Sequence, residues 1–180
     1  MRRLFSLLIL VLALPALAGS LADVSLPDTA AVGGKSLVLN GMGLRTKLFI
    51  KVYVAGLYVE AKSKNATALV YADAPKQIVL KFIYSPSASQ MQGAFREGFE
   101  NNGAPAALKP SIDKFLAAVP GAKKGDEMAI TYLPGTGTTL SFNGKDLVTV
   151  PGADFMRAAF NIWLGPKPPT DDLKTGMLGG

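Results

Sequence analysis

The chain contains neither histidine nor cysteine. A serine–histidine–aspartate triad, a cysteine nucleophile and any thiolate or imidazole metal site are therefore excluded. So is a disulfide, which leaves the hydrophobic core alone to hold the fold in an oxidising compartment. Serine–lysine pairs remain formally possible, but no serine sits in a strained G-x-S-x-G turn. The 13 acidic residues are scattered through 180 positions, and Asp171-Asp172 reads as a solvated helix start. No calcium loop or phosphate loop can be drawn. Gly135-Thr136-Gly137 lacks the following helix that a dinucleotide loop needs, so it reads as a turn. The sequence thus assigns no cofactor, no metal ligand and no catalytic residue.

What the chain does have begins at its first residue. Met1-Arg2-Arg3 leads into an apolar run from Leu4 to Leu17, which ends in Ala16-Leu17-Ala18. A basic start, a short apolar stretch and a small-x-small end are the parts of a cleavable secretory signal. Residues 1–18 are expected to be that signal, cut after Ala18 or at a later site near Ala22; the alternative is an N-terminal anchor that is never cut. The run is short for a membrane span and no later segment is apolar for long enough, so no stable span is expected after cleavage. Residues 19–180 then form one periplasmic or secreted domain, large enough for a sizeable core. Without Arg2 and Arg3, 17 basic residues face 13 acidic ones, a net charge of +4. The excess is scattered lysine with no basic block, which speaks against nucleic acid as a partner. Nothing in the pattern sets an oligomeric state.

Strand signals come first: Ser36 to Asn40, then Leu48 to Glu60, then Gln77 to Tyr84. In the second run Leu48, Ile50, Val52 and Val54 share one face, and Phe49, Lys51, Tyr53 and Ala55 the other. Gly56 interrupts it, which predicts a bulge or a close contact. Ser87-Ala88-Ser89-Gln90 has capping-box spacing, and Met91, Ala94, Phe95, Gly98 and Phe99 follow as one helical stripe that Asn102-Gly103 ends. Ile112, Phe115, Leu116 and Val119 form a second stripe, with Pro110 near its start. Strands return at Glu127–Leu133, Thr138–Phe142 and Lys145–Val150, the last two joined by Asn143-Gly144, a two-residue hairpin signal. A helix from about Ala153 to Leu164 is apolar on two sides and is expected to be buried on both; Thr170 to Leu178 adds a short final helix. The order predicts an α+β fold, a mostly antiparallel sheet with helices packed on one face.

Three arginines lie beyond the expected signal: Arg45, Arg96 and Arg157. Arg96 has Glu97 and Glu100 nearby, ordinary surface pairing, and Arg157 points away from its helix stripe. Arg45 stands apart, in Gly41-Met42-Gly43-Leu44-Arg45-Thr46, between two strand-like runs. It reads either as an exposed turn residue or as a cation at the mouth of an apolar cavity. Tyr53 shares its parity eight residues on, so a straight strand would separate them by roughly 26 Å; they serve one site only if the chain turns between them. Otherwise Tyr53 is a packed tyrosine whose hydroxyl bonds backbone, and Tyr58 is the same or a surface pairing.

Gly43-Leu44-Arg45, followed by Phe49-Ile50-Lys51-Val52-Tyr53-Val54-Ala55-Gly56-Leu57-Tyr58-Val59-Glu60, resembles the chalcone isomerase superfamily, most of all its bacterial chalcone isomerase-like proteins. Phe160-Asn161-Ile162-Trp163-Leu164-Gly165 is similar to that family's last core helix. The resemblance runs from about Ala31 to Gly179. It implies an open-faced β-sandwich with a cleft between sheet and helices. It also implies one of two activities: cofactor-free cyclisation of chalcones, or binding of fatty acids, in which an arginine and a tyrosine hold the carboxylate. By motif these map to Arg45 and Tyr53. The enzyme's helix-opening tyrosine falls at Met91, its asparagine at Gly98, the small polar residue of its last helix near Ile162, and its water-activating threonine at Tyr53. Replacement of that polar set by apolar side chains favours a lipid-like guest. The expected site is Arg45, Tyr53, Tyr58, Met91, Phe95 and Ile162, taking a fatty acid or similar amphipathic carboxylate without catalysis. The same apolar residues also read simply as core. Two other readings stay open: an intramolecular lyase or isomerase, and a cell-envelope partner protein that uses the tail Gly165-Pro166-Lys167-Pro168-Pro169 as a contact.

Overall fold

The computed structural model describes residues 19–180; the signal expected over residues 1–18 lies outside the described residues. The short strands β1 (Gly19–Leu21) and β2 (Val24–Leu26) pair with each other. The main sheet is a seven-stranded antiparallel meander. It comprises β3 (Thr29–Val32), β4 (Lys35–Lys47), β5 (Ile50–Val59), β6 (Lys76–Phe82), β7 (Glu127–Leu133), β8 (Gly137–Phe142) and β9 (Lys145–Val150), each beside the next in the chain. Helix α1 (Ala66–Tyr71) joins β5 to β6. Helices α2 (Ala88–Asn101) and α3 (Lys109–Ala118) join β6 to β7, and α4 (Ala153–Leu164) and α5 (Asp171–Met177) follow β9.

All five helices bury residues in the one cluster that also takes Ala55, Leu57, Ile78, Leu80, Met128 and Ile130 from the sheet. The expected one-sided helical layer is therefore what forms. Leu26, Leu37, Leu39, Tyr58 and Val79 make a smaller cluster on the opposite face, with Leu26 of β2 over Gly56. Strand composition follows from this. β7 alternates buried and half-buried residues, whereas β5 is buried at every position from Tyr53 to Val59 and reads as a continuous apolar run. Helix α4 is covered on both sides, with eight of its twelve residues buried. Each large apolar side chain so buried contributes about 1.5–3 kcal/mol. No helix among the described residues is long and apolar enough to cross a membrane.

Several expectations change in detail. The run 41–46 is not a loop between strands but the second half of β4. The strand expected from Leu48 is cut at its start, because Leu48-Phe49 form the two-residue turn between β4 and β5. Arg45 pairs with Tyr53 while Thr46 pairs with Lys51, so Val52 is an extra residue on β5. A second irregularity leaves Asn40 unpaired on β4, where its side chain bonds Ser63 and the Met177 carbonyl. Gly56 has no bulge; it admits Leu26, whose Cδ1 would lie 2.4 Å from a Cβ there. Strands β1 to β3 and helix α1 went unforeseen. Arg96 pairs with Asp113 of α3 at 3.5 Å, not with its own helix. Arg157 is half-buried, bonded to Asp154 at 2.7 Å and stacked 5.5 Å from the Tyr71 ring.

Candidate functional site

One end of the layer between sheet and helices is not filled. A cavity of about 590 Å³ lies there, bounded by β4 and β5 on one side, α2 on another, and the end of α4 with Lys167-Pro168-Pro169 on a third. Its position follows from local chemistry. The hairpin folds β4 onto β5 and brings Arg45 directly across from Tyr53. The turn required for the two to share a site is therefore present, and residues opposed in an antiparallel pair project from the same face. The bulge at Val52 adds a further apolar residue to the same lining. On the helical side, Ser87 caps α2 reciprocally: Gln90 N–H donates to Ser87 Oγ at 3.2 Å and Ser87 N–H donates to Gln90 Oε1 at 2.9 Å. This fixes the start of α2, so Met91 and Phe95 face inward from its first turns. Gly98 lets α2 approach α4, since a Cβ there would stand 2.7 Å from Ile162 Cγ2. Asn102 grips the segment after α4, donating to the Lys167 carbonyl and accepting from Lys167 N–H, both at 3.0 Å.

Two donors face the hollow without a protein acceptor among the described residues. The Tyr53 ring is buried and edge-on to Phe82, with centroids 5.8 Å apart. Its hydroxyl accepts the indole N–H of Trp163 at 3.0 Å. An indole nitrogen only donates, so the tyrosine keeps its own proton to give. Burial raises the Tyr53 pKa, while the Arg45 charge and the Trp163 bond pull the other way; the direction that stands is upward. Tyr53 therefore remains a neutral O–H donor. Arg45 is half-buried, and among the described residues no carboxylate lies within salt-bridge distance of it. Glu97 is the one acidic residue of the lining; Lys47 and Lys167 add two more cations.

Of the six expected site residues, Arg45, Tyr53, Met91, Phe95 and Ile162 line this cavity, and Tyr58 does not. Tyr58 lies on the opposite face of the sheet, where its hydroxyl donates to the Pro27 carbonyl at 2.8 Å. Burial and the nearby Glu127 and Asp28 push its pKa up to about 12. Five residues separate it from Tyr53, and strict alternation sends an odd separation to opposite faces. Met91, Phe95 and Ile162 are members of the core cluster and wall the hollow at once, so the two readings of them coincide. Trp163 was overlooked as a site residue. It is the only tryptophan in the chain, and a buried indole needs an acceptor, which was a usable signal. The Pro-rich tail is partly packed: Pro166 and Lys167 are exposed, Lys167 to Pro169 border the cavity, Lys174 Nζ donates to the Gly165 carbonyl at 2.8 Å, and Leu173 and Met177 of α5 are fully buried.

The comparisons agree with this architecture. A family model described as chalcone isomerase-like matches residues 18–179. Among solved structures the chain is similar to the crystal structure of a fatty-acid binding protein from Arabidopsis thaliana. The identity is 19%, the match covers 91% of this chain and 95% of that one, and the TM-score is 0.73. At that identity the likeness speaks for the fold. No curated protein sequence matches the chain.

Proposed function

The chain belongs to the chalcone isomerase-like family, and from that premise we propose that residues 19–180 are a periplasmic or secreted, non-catalytic binder of a fatty acid or similar amphipathic carboxylate. The observation that carries the reading is the pair of donors, Arg45 and Tyr53, unclaimed among the described residues and set opposite each other at a hollow that Met91, Phe95 and Ile162 make apolar on one side. A carboxylate accepts from both, and a guanidinium–carboxylate bond is charge-assisted and two-pronged. Met91, Phe95, Ile162 and Val52 offer the acyl chain an apolar wall, where each buried methylene contributes about 0.8 kcal/mol. The volume falls within the range of small-molecule sites, roughly 300–1,000 Å³. At the two α2 positions where the resemblance places the enzyme's tyrosine and asparagine, Met91 and Gly98 carry no acid, base or amide side chain, although Gln90, Glu97 and Asn101 of the same helix also line the cavity. The similar plant structure, described as fatty-acid binding, supports the same ligand class.

Isothermal titration with saturated acids from about twelve to eighteen carbons tests the reading. Binding is expected, and Arg45→Ala should weaken it at least tenfold, the loss of one charge-assisted pair. The absence of heat with every acid of the series would falsify it.

A further inference from the structure

The turn that closes β4 onto β5 is built from the wrong residues for its geometry. Leu48 and Phe49 have φ of 46° and 67°, the left-handed pair that a two-residue hairpin requires. Bulky L-residues adopt that conformation at a cost, and such strain persists at functional places. The same molecule shows the ordinary solution at Gly33-Gly34 between β3 and β4 and at Asn143-Gly144 between β8 and β9; the short β1–β2 turn uses Ala22-Asp23, a smaller non-glycine pair with φ of 50° and 62°. At the β4–β5 turn the side chains also point at water: Leu48 is 82% exposed and Phe49 100% exposed, with Ile50 and Tyr84 exposed beside them. Leu48, Ile50 and Tyr84 belong to the cavity lining, so this apolar tip stands at the cavity mouth. Lys47 and Lys51 flank it in the chain, and both are exposed. Lys167 stands across the mouth, and Lys124 is tied to the Tyr84 loop through its N–H to Ser85 Oγ, 3.0 Å.

We propose that Lys47-Leu48-Phe49-Ile50-Lys51 is a membrane-docking tip that seats the cavity mouth on an anionic phospholipid surface. An apolar point flanked by Lys47 and Lys51, with Glu97 the one acidic residue of the cavity lining among the described residues, matches the layering of such a surface, acyl chains beneath a negative headgroup plane. A soluble partner protein or a second copy would supply an apolar socket, but neither explains lysines on both sides of the tip. The docking reading does not require the fatty-acid assignment, though it gives a bound lipid a short path between bilayer and cavity.

Co-sedimentation of residues 19–180, which contain every described element and both hydrophobic clusters, with phosphatidylglycerol-rich vesicles tests it. The wild-type domain should bind these vesicles and bind phosphatidylcholine vesicles poorly. Phe49→Gly should weaken vesicle binding at least tenfold while raising the thermal midpoint, because glycine relieves the left-handed strain; a folding defect would move the midpoint the other way. Lys51→Glu should lower binding to the anionic vesicles selectively. Solution affinity for a fatty acid should be the same in Phe49→Gly and wild type, so failure of docking and failure of ligand binding are read separately. Undiminished vesicle binding by Phe49→Gly, or a wild-type dimer that this substitution dissolves, overturns the proposal.

Discussion

The two ends of α4 sit in the same layer and meet opposite fates. The stretch from Phe155 to Phe160 is packed solid. Phe155 lies 5.5 Å from Phe115 and 5.9 Å from Phe99, ring centroid to ring centroid, tilted by 53° and 39° and within aromatic contact range. The last turn of α4, with Ile162 and Trp163, borders the hollow. The cations at the two ends differ in the same sense. Lys76, at the solid end, is 3% exposed, and its Nζ donates to the Leu69 and Ala72 carbonyls at 2.6 Å each and lies 5.7 Å from the Phe160 ring. It thereby satisfies the last carbonyls of α1, which a helix end leaves orphaned. Arg45, at the hollow end, has no such claims on it. A cation whose donors are spent on the fold is structural; one held ready beside a cavity is available to a guest.

Truncation should separate the two ends most sharply. Phe155→Ala removes a ring from a filled site and should cost about 3–5 kcal/mol of unfolding free energy in urea titration. Met91→Ala, facing the hollow, should cost clearly less and should instead weaken the binding of a long-chain acid. Equal stability losses at the two positions would show that the hollow is as tightly packed as the aromatic end.

The next largest effect is a pH dependence that belongs to the solid end. Burial lowers the Lys76 pKa from 10.5 to about 8, with Asp73 acting against the shift. Between those values the unfolded chain holds a proton that the folded one has released, so stability should rise with pH from about 8 towards 10. The buried tyrosines have the opposite sign. Tyr58 and Tyr132 are raised to about 12, by burial and, in Tyr132, by its bond to Asp73. Their contribution is complete below pH 10 and is lost as pH climbs towards 12. A urea midpoint that peaks near pH 9–10, and whose rising limb, on the order of 1–3 kcal/mol, flattens in Lys76→Met, is the expected outcome.

The sequence made the locally governed elements far more legible than the hollow itself, for a physical reason. Ser87 with Gln90, Asn143-Gly144 and the doubly apolar α4 obey local rules, and each forms as those rules predict. The site instead depends on exceptions to them. Leu48-Phe49 carry none of the residues that favour their turn, so β4 and β5 looked like a loop and one long strand, and Arg45 seemed far from Tyr53. The bulge at Val52 breaks the parity that assigned Val52 and Tyr53 to opposite faces. Tyr58 erred in the other direction: strict alternation holds across the five residues from Tyr53, and it alone was enough to place that hydroxyl behind the sheet. Strands β1 to β3 were missed because three or four residues give too little alternation to read.

The two tyrosines of β5 allow the finest test, because the same atom is deleted on each side of one strand. Tyr58→Phe removes the donor to the Pro27 carbonyl and nothing that faces the cavity. It should cost about 1 kcal/mol of stability, the net worth of an ordinary hydrogen bond, and leave fatty-acid affinity where it was. Tyr53→Phe removes the acceptor of the Trp163 indole as well as the proton offered to the hollow. It should cost a similar amount of stability, and calorimetry should in addition show affinity falling at least tenfold, the loss of one hydrogen bond to a charged acceptor. If Tyr53→Phe binds as tightly as wild type, its hydroxyl serves only Trp163, and the carboxylate grip reduces to Arg45 alone.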